Sequence, residues 1–289
     1  MTLFMNSDKD KNFIILSSQK YCIYITSILN LIIYKNTKPN NLKIADLQKG
    51  LILEYKGIEI IGEGTGFGFP VVIHKGESYF SKSAQVFIKK NLDSTVIKKE
   101  FYMDTIARNK YRNIKLENKK VRSIIRYLSY LYQKHKKLRF LTLKKFFLDI
   151  GVKSIYEKTK SIGTIPVTYI ITDKKIMIEV DLHKIERLHP QKIFVLNEQS
   201  ANFFRKYIDS NKLTLKNNEF GAWDYVDAKW ALLTDLNERL GYKLWRINKT
   251  ILRRGSETLK NRLDWAGLDY QIKPNTKIFN YKIELLEKN

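Results

Sequence analysis

The chain has a single cysteine in 289 residues, Cys22, and only five prolines. One thiol excludes an internal disulfide framework and any zinc site built on cysteine pairs. A chain of this size without disulfides is expected in a reducing compartment, and a cytoplasmic location follows as the simplest expectation. Cys22 lies in Tyr-Cys-Ile-Tyr-Ile, where it reads as a small buried apolar residue. Long apolar runs are also missing. Between Phe13 and Tyr34 the longest uncharged run is Tyr21 to Tyr34, short of the ~20 residues a spanning helix needs. The mixed charge of Asp8-Lys-Asp-Lys and the absence of a small-residue cleavage site argue against a signal peptide. Two core strands around Ile28-Leu29-Asn30 are expected there, with no transmembrane segment.

The composition is that of a globular protein, with 44% hydrophobic and 28% charged residues. Seventeen Tyr, fifteen Phe and four Trp favour pleated, half-buried surfaces. Strand-like alternation dominates. Gly50–Ile61 reads as a strand, Val71–Phe80 as a hairpin turning at Gly76, and Gln85–Ile106 as one long strand. Ile165–Leu182 reads as a hairpin turning at Thr172-Asp-Lys-Lys175. Further strands are predicted at 193–197, 202–207, 224–233, 241–247, 263–270 and 279–286. No Ser/Gly/Pro linker and no internal repeat divides the chain. The expectation is one mainly β domain over 1–289, a large antiparallel β-sandwich with a basic α-helical insertion at about 107–151.

That insertion holds much of the positive charge. The net charge is +24, and residues 98–149 carry sixteen Lys/Arg against four Asp/Glu. Val121, Ile124, Ile125, Leu128, Leu131 and Tyr132 fall on one helical face. A second short helix is predicted around Leu143, Phe146, Phe147 and Ile150, capped by Thr142 and ended by Gly151. Lys119, Arg122, Arg126, Lys134, Lys136, Lys137 and Arg139 are the candidate contacts for a polyanion, nucleic acid or an acidic membrane surface. The competing reading is the solvated face of a helix in a lysine-rich chain. No zinc-finger spacing or RNA-recognition signature favours the first.

Gly62, Gly64, Gly66 and Gly68 alternate with Glu63, Thr65, Phe67 and Phe69. The run is neither a dinucleotide fingerprint nor a phosphate loop. Alternate glycines in strand-like sequence instead strip one face of side chains and admit a bulge or the close approach of another backbone or ligand. Glu63 inside this run is a candidate acid/base group or sugar-hydroxyl acceptor. In the last third, tryptophan accompanies charge: Trp223-Asp224, Lys229-Trp230, Trp245-Arg246, Arg253-Arg254-Gly255-Ser-Glu257 and Asp264-Trp265. Aromatic faces beside carboxylates and guanidinium groups suit pyranose recognition, whereas core tryptophans with cation–π partners are the plainer alternative. The candidate ligand-binding residues are Glu63, Trp223, Asp224, Trp245, Arg254, Glu257 and Trp265.

His74, His135, His183 and His189 lie far apart with no metal-ligand spacing, so neither a metal nor another cofactor is expected. No nucleophile elbow or Cys–His pairing is present, and hydrolysis by two carboxylates separated in sequence stays open.

The order of long strands, the Gly-rich corner before Pro70 and the Trp-rich final strands resemble the galactose-mutarotase-like β-supersandwich of sugar epimerases, polysaccharide lyase domains and glycoside hydrolase accessory domains. The resemblance covers roughly residues 10–97 and 160–289. It implies carbohydrate recognition on a concave sandwich face. The family's histidine acid and carboxylate base find no matching motif here, so no catalytic residue is carried over. The sequence therefore points first to a carbohydrate-binding sandwich, with a carbohydrate-active enzyme as the narrower form. The alternative is a nucleic-acid or anionic-surface binder acting through the basic insertion.

Overall fold

The computed structural model describes residues 49–55, 58–59, 65–90, 94–111, 152–172, 175–200, 203–216, 219–221, 223–259 and 262–287, and the short strands 4–6, 15–17, 21–25 and 30–34. Every strand pairing among the described residues is antiparallel. Six short strands form one sheet: β1 (Phe4–Asn6), β2 (Ile15–Ser17), β3 (Tyr21–Ile25), β4 (Asn30–Tyr34), β5 (Ile52–Tyr55) and β6 (Ile58–Glu59). Cys22 lies in β3.

The remaining fifteen strands form a second, much larger sheet. In chain order they are β7 (Gly66–His74), β8 (Glu77–Lys90), β9 (Thr95–Tyr111), β10 (Val152–Lys158), β11 (Thr164–Ile171), β12 (Lys175–Asp181), β13 (Lys192–Ser200) and β14 (Lys206–Asp209). They continue with β15 (Thr214–Lys216), β16 (Asp224–Tyr225), β17 (Trp230–Thr234), β18 (Leu240–Trp245), β19 (Thr250–Leu259), β20 (Arg262–Ile272) and β21 (Ile278–Glu287). The order across the sheet is β15-β14-β17-β18-β21-β12-β11-β9-β8-β7-β13-β20-β19-β16, with β10 paired to β9 off this path.

Strand spacing shows that this sheet is folded onto itself. β18 and β7 stand six places apart in the order. At ~4.8 Å per strand a flat sheet would separate them by about 29 Å. Yet the rings of Tyr242 on β18 and Phe67 on β7 meet edge to face at 4.9 Å. Tyr207 on β14 and Arg254 on β19 are eleven places apart, and the guanidinium lies 5.0 Å from the ring. The β14-β17-β18-β21 side thus packs against the β7-β13-β20-β19 side. The alternation read from the sequence serves this packing: in β12, Ile176, Ile178 and Val180 are buried while Lys175, Met177 and Glu179 face out.

Four buried tyrosines tie the fold together through their hydroxyls. Tyr169 donates to the Phe67 carbonyl at 2.9 Å, Tyr242 to the Asn197 carbonyl at 3.0 Å, and Tyr270 to the Trp245 carbonyl at 2.6 Å. Tyr281 donates to Asn197 Oδ1 at 2.6 Å. Burial pushes all four phenols well above the ordinary tyrosine range, so they stay neutral donors. Asn197 itself uses every polar group it has. Its N–H donates to Asp269 Oδ1, its Nδ2 donates to the Leu268 carbonyl at 3.0 Å, and its Oδ1 also accepts the Gly68 N–H at 3.1 Å. The β7–β13 register shifts here, leaving Gly68 as the extra residue between the Leu196–Phe69 and Asn197–Phe67 pairs. Gly68 has φ +74°, and a Cβ would lie 3.0 Å from the Tyr169 hydroxyl oxygen.

Three expectations are corrected. Residues 107–111 are not the start of an insertion; they complete β9 and pair with β10, Tyr111 opposite Val152. The ladder hydrogen bonds there do not depend on apolar side chains, so polar composition hid the strand. The expected helices at Val121–Tyr132 and Leu143–Ile150 lie outside the described residues, where the only helix is the four-residue α1 (His183–Glu186). The run 85–106 is two strands, with Lys90 paired to Thr95. The run 224–233 divides into β16, which pairs with β19, and β17, which pairs with β14 and β18. Among the described residues no helix is long and apolar enough to cross a membrane.

Replacing Asn197 with Ala strands the Tyr281 hydroxyl, the Gly68 N–H and the Leu268 carbonyl in the core. At ~1–3 kcal/mol for each buried group left unmade, a loss of about 3 kcal/mol or more is expected. Tyr281→Phe removes one bond while Asn197 Oδ1 keeps Gly68, so a loss of only ~1 kcal/mol is expected. Urea unfolding midpoints of the two variants check the order.

Candidate functional site

Among the described residues, two places that combine aromatic and ionised side chains adjoin each other along β19. The first is a row across four neighbouring strands. Gly66 on β7 pairs with Glu198 on β13, Glu198 with Gly267 on β20, and Gly267 with Gly255 on β19. Glu198 is the only residue of that row with a side chain, and it is 6% exposed. Its Oε2 accepts the Thr65 N–H at 3.0 Å and the Thr65 hydroxyl at 2.9 Å. The glycines give other groups room. A Cβ on Gly66 would lie 2.9 Å from the Leu51 carbonyl oxygen, and one on Gly255 would lie 2.9 Å from Trp223 N and 3.1 Å from its Cδ2.

Next to this row, on the same face, Asp269 on β20 stands opposite Arg253 on β19. Asp269 is fully buried, and its Oδ2 lies 3.6 Å from Arg253 Nη2 without a hydrogen bond. The Arg253 guanidinium lies 4.3 Å from the Phe194 ring centroid and 5.2 Å from that of Trp223. Burial first, and the Glu198 carboxylate second, push the Asp269 carboxyl well above the usual carboxylate range; Arg253 and the Asn197 N–H pull the other way. Asp269 therefore keeps its proton in the fold over a pH range where a free aspartate has lost it. A second buried group, Lys99 on β9, donates to the Lys49 carbonyl. Burial first, then the charge of Lys49, lowers it to about 7.

The second place is an open cleft of about 280 Å³ lined by Tyr225, Val226, Asp227, Arg246, Thr250, Ile251 and Leu252. β18, which Arg246 follows, and β19 lie nine places apart in the sheet order. The cleft therefore sits at the end of the sandwich, between its two sides. Tyr225 is 69% exposed. Arg246 Nη1 contacts Asp227 Oδ1 at 2.7 Å, and both side chains stand in solvent. The floor is apolar, from Val226 and Leu252.

A tight turn brings the chain to this cleft. Gly221 has φ +84°, and the Asp224 carboxylate fills the space a Cβ would take, 2.1 Å from Oδ2. Trp223 follows in the left-handed region at φ +66°. Asp224 then pairs across the strands with Arg254, the charged groups 3.9 Å apart, while Arg254 also lies over Tyr207.

Of the sequence-predicted residues, Trp223, Asp224 and Arg254 come together at this corner. Trp245 stands elsewhere, on the outer face of β18 opposite Trp230 of β17. There Lys243 Nζ lies 4.7 Å from the Trp230 ring and 4.5 Å from the Trp245 ring, and Lys282 lies 5.4 Å from the latter. Glu284 bridges the two lysines, at 2.6 Å from Lys282 and 3.8 Å from Lys243. Glu257 and Trp265 face each other across β19 and β20, their side chains outside the description. Glu63 and the basic set Lys119, Arg122, Arg126, Lys134, Lys136, Lys137 and Arg139 lie outside the described residues. Tyr225, Asp227, Arg246, Glu198 and Asp269 were not selected from the sequence. Tyr225 and Arg246 each adjoin a selected residue, so the signal lay one position away. Among the described residues, no three His, Cys, Asp or Glu side chains gather as a metal-binding group.

No protein-family model matches the chain, and no curated protein matches it in sequence. Solved structures that align with it include the α-N-acetylgalactosaminidase NagBb from Bifidobacterium bifidum, at 7% identity and a TM-score of 0.46 over 99% of this chain and 36% of that one. This chain thus spans about a third of that enzyme's length. A galactose mutarotase-like protein from Lactobacillus casei ATCC 334 aligns at 11% identity and a TM-score of 0.37, over 94% of this chain and 99% of that one. With TM-scores below 0.5, the functional reading rests on this chain's own geometry.

The raised Asp269 sets a pH dependence. The unfolded carboxyl ionises near 3.8 while the folded one keeps its proton, so the unfolded state holds fewer protons above that pH. Stability from this group is lost as pH rises from about 4 toward the folded value. Asp269→Asn keeps an acceptor for the Asn197 N–H and cannot ionise. Its melting temperature relative to wild type is expected to climb between pH 4 and 8; parallel curves would refute the assignment.

Proposed function

We propose that this protein binds carbohydrate at the cleft between Tyr225 and Arg246, with Trp223, Asp224 and Arg254 forming the adjoining corner. One observation carries the reading: an exposed aromatic ring and an arginine–aspartate pair line the same open, apolar-floored hollow. A sugar ring offers both kinds of surface that such a site needs. Its carbon-bound hydrogens suit an aromatic face, and its hydroxyls suit guanidinium and carboxylate groups. The cleft's volume of about 280 Å³ is near the small end of the ~300–1,000 Å³ range of ligand pockets, a size for one ring rather than several. Fixed polar groups beside an apolar wall are what orient a ligand in such pockets.

The buried Glu198 and Asp269 are not placed in contact with the sugar, because both are sealed from solvent. They shape the strands that carry the corner: Arg253, held against Asp269, pairs with Tyr225 across β19 and β16. The lysine-capped Trp245 and Trp230 likewise stand outside the site.

Binding is read by tryptophan fluorescence, with Trp223 two residues from Tyr225 as reporter, during titration with a panel of monosaccharides. Tyr225→Ala is expected to weaken the best ligand roughly tenfold, equivalent to about 1.4 kcal/mol, with an unchanged melting temperature because the side chain is largely in solvent. A panel that gives no saturable signal, confirmed by calorimetry, would remove the proposal.

A further inference from the structure

The arginine of the cleft is weakly held by its own carboxylate, and this sets the charge of the sugar it suits. Arg246 touches Asp227 through one nitrogen, and the Asp227 side chain is 96% exposed while that of Arg246 is 52% exposed. Exposed pairs of this kind contribute little. Asp227 can therefore swing into water at small cost. Arg246 makes no other side-chain hydrogen bond or ion pair among the described residues, so its planar fork can donate two parallel hydrogen bonds to another carboxylate. Its backbone does not move for this, because the Arg246 N–H is anchored to the Lys229 carbonyl at 2.9 Å.

The surroundings favour an anion over a neutral ligand. Lys249 adjoins Thr250 and Lys229 pairs with Arg246 through its carbonyl, both lysines exposed, so with Arg246 and Arg254 four cations stand at or beside the cleft against Asp227 and Asp224. The chain's net charge of +24 adds a long-range field of the same sign. The guanidinium fork presents parallel N–H donors, a geometry that a carboxylate takes bidentately.

We infer that the cleft selects an acidic sugar, a hexuronic acid, whose ring lies on Tyr225 and whose carboxylate displaces Asp227 from Arg246. This rests on the carbohydrate reading above and narrows it to one ligand class.

The test compares each of glucuronate and galacturonate with its own methyl ester, which keeps ring and size but removes the charge. For wild-type protein the better uronate is expected to bind at least tenfold tighter than its ester, and the ratio is expected to shrink as salt is raised. Arg246→Gln is expected to bring that ratio to about one. Asp227→Asn, which frees the arginine from its competitor on a fully exposed side chain, is expected to raise uronate affinity two- to fivefold. A wild-type ratio near one, with both forms binding, overturns the acidic-sugar inference and leaves the carbohydrate reading standing. A ratio that survives in Arg246→Gln overturns it as well. If neither form binds and the wider monosaccharide panel is also silent, it is the carbohydrate reading that fails.

Discussion

Two sheets with apolar inner faces attract one another without choosing a register, because burial of hydrocarbon has no direction. Hydrogen bonds between the two sides supply the missing direction. Asn197 lies at their centre: it takes one tyrosine from β18 on its carbonyl and another from β21 on its side chain, while holding the bulge at Gly68. Tyrosine suits this work since it fills the core with a ring and carries a single polar atom to a defined distance. Each bond made in the dry interior is also a bond that cannot be lost cheaply, so a shift of one side against the other leaves several groups unsatisfied together.

The same arrangement explains why carboxylates survive in the interior. Glu198 is held by Thr65 and Asp269 by the Asn197 N–H, and each lies in or beside a row of glycines whose missing side chains let backbone come close. Burying a charge without partners would be prohibitive. A protonated aspartate beside a guanidinium avoids most of that cost. The polar layer is thus a continuation of the tyrosine lattice, and it ends at Arg253 and Trp223, where the open corner begins.

The strand content, the hairpins at Lys75–Gly76 and at Thr172–Lys175, and the pairing of Tyr21–Ile25 with Asn30–Tyr34 were legible, because period-two alternation and turn residues were both present. β19 was not read as a strand. Its inward position at 254 is an arginine lying over Tyr207, which breaks the apolar pattern. At the site, the concentration of tryptophan with charge led to the right corner of the fold, yet the cleft is lined by the neighbours Tyr225 and Arg246. In a strand, one step along the chain reverses the direction of the side chain. Sequence pattern locates a ladder more easily than it says which rung faces the hollow. Glu198 and Asp269 were illegible for another reason: their meaning comes from strands 71 residues apart in sequence, paired across β13 and β20.

The folding of the large sheet leaves β15 and β16 as its two ends, three and two residues long. An exposed strand edge is a template on which other chains can extend a ladder. Here each terminus offers only a stub, too brief to hold a visiting strand. The two ends of the path are thereby poor templates for strand addition, and β10, seven residues long and paired to β9 alone among the described residues, is the longer border at which a visiting strand would find a ladder.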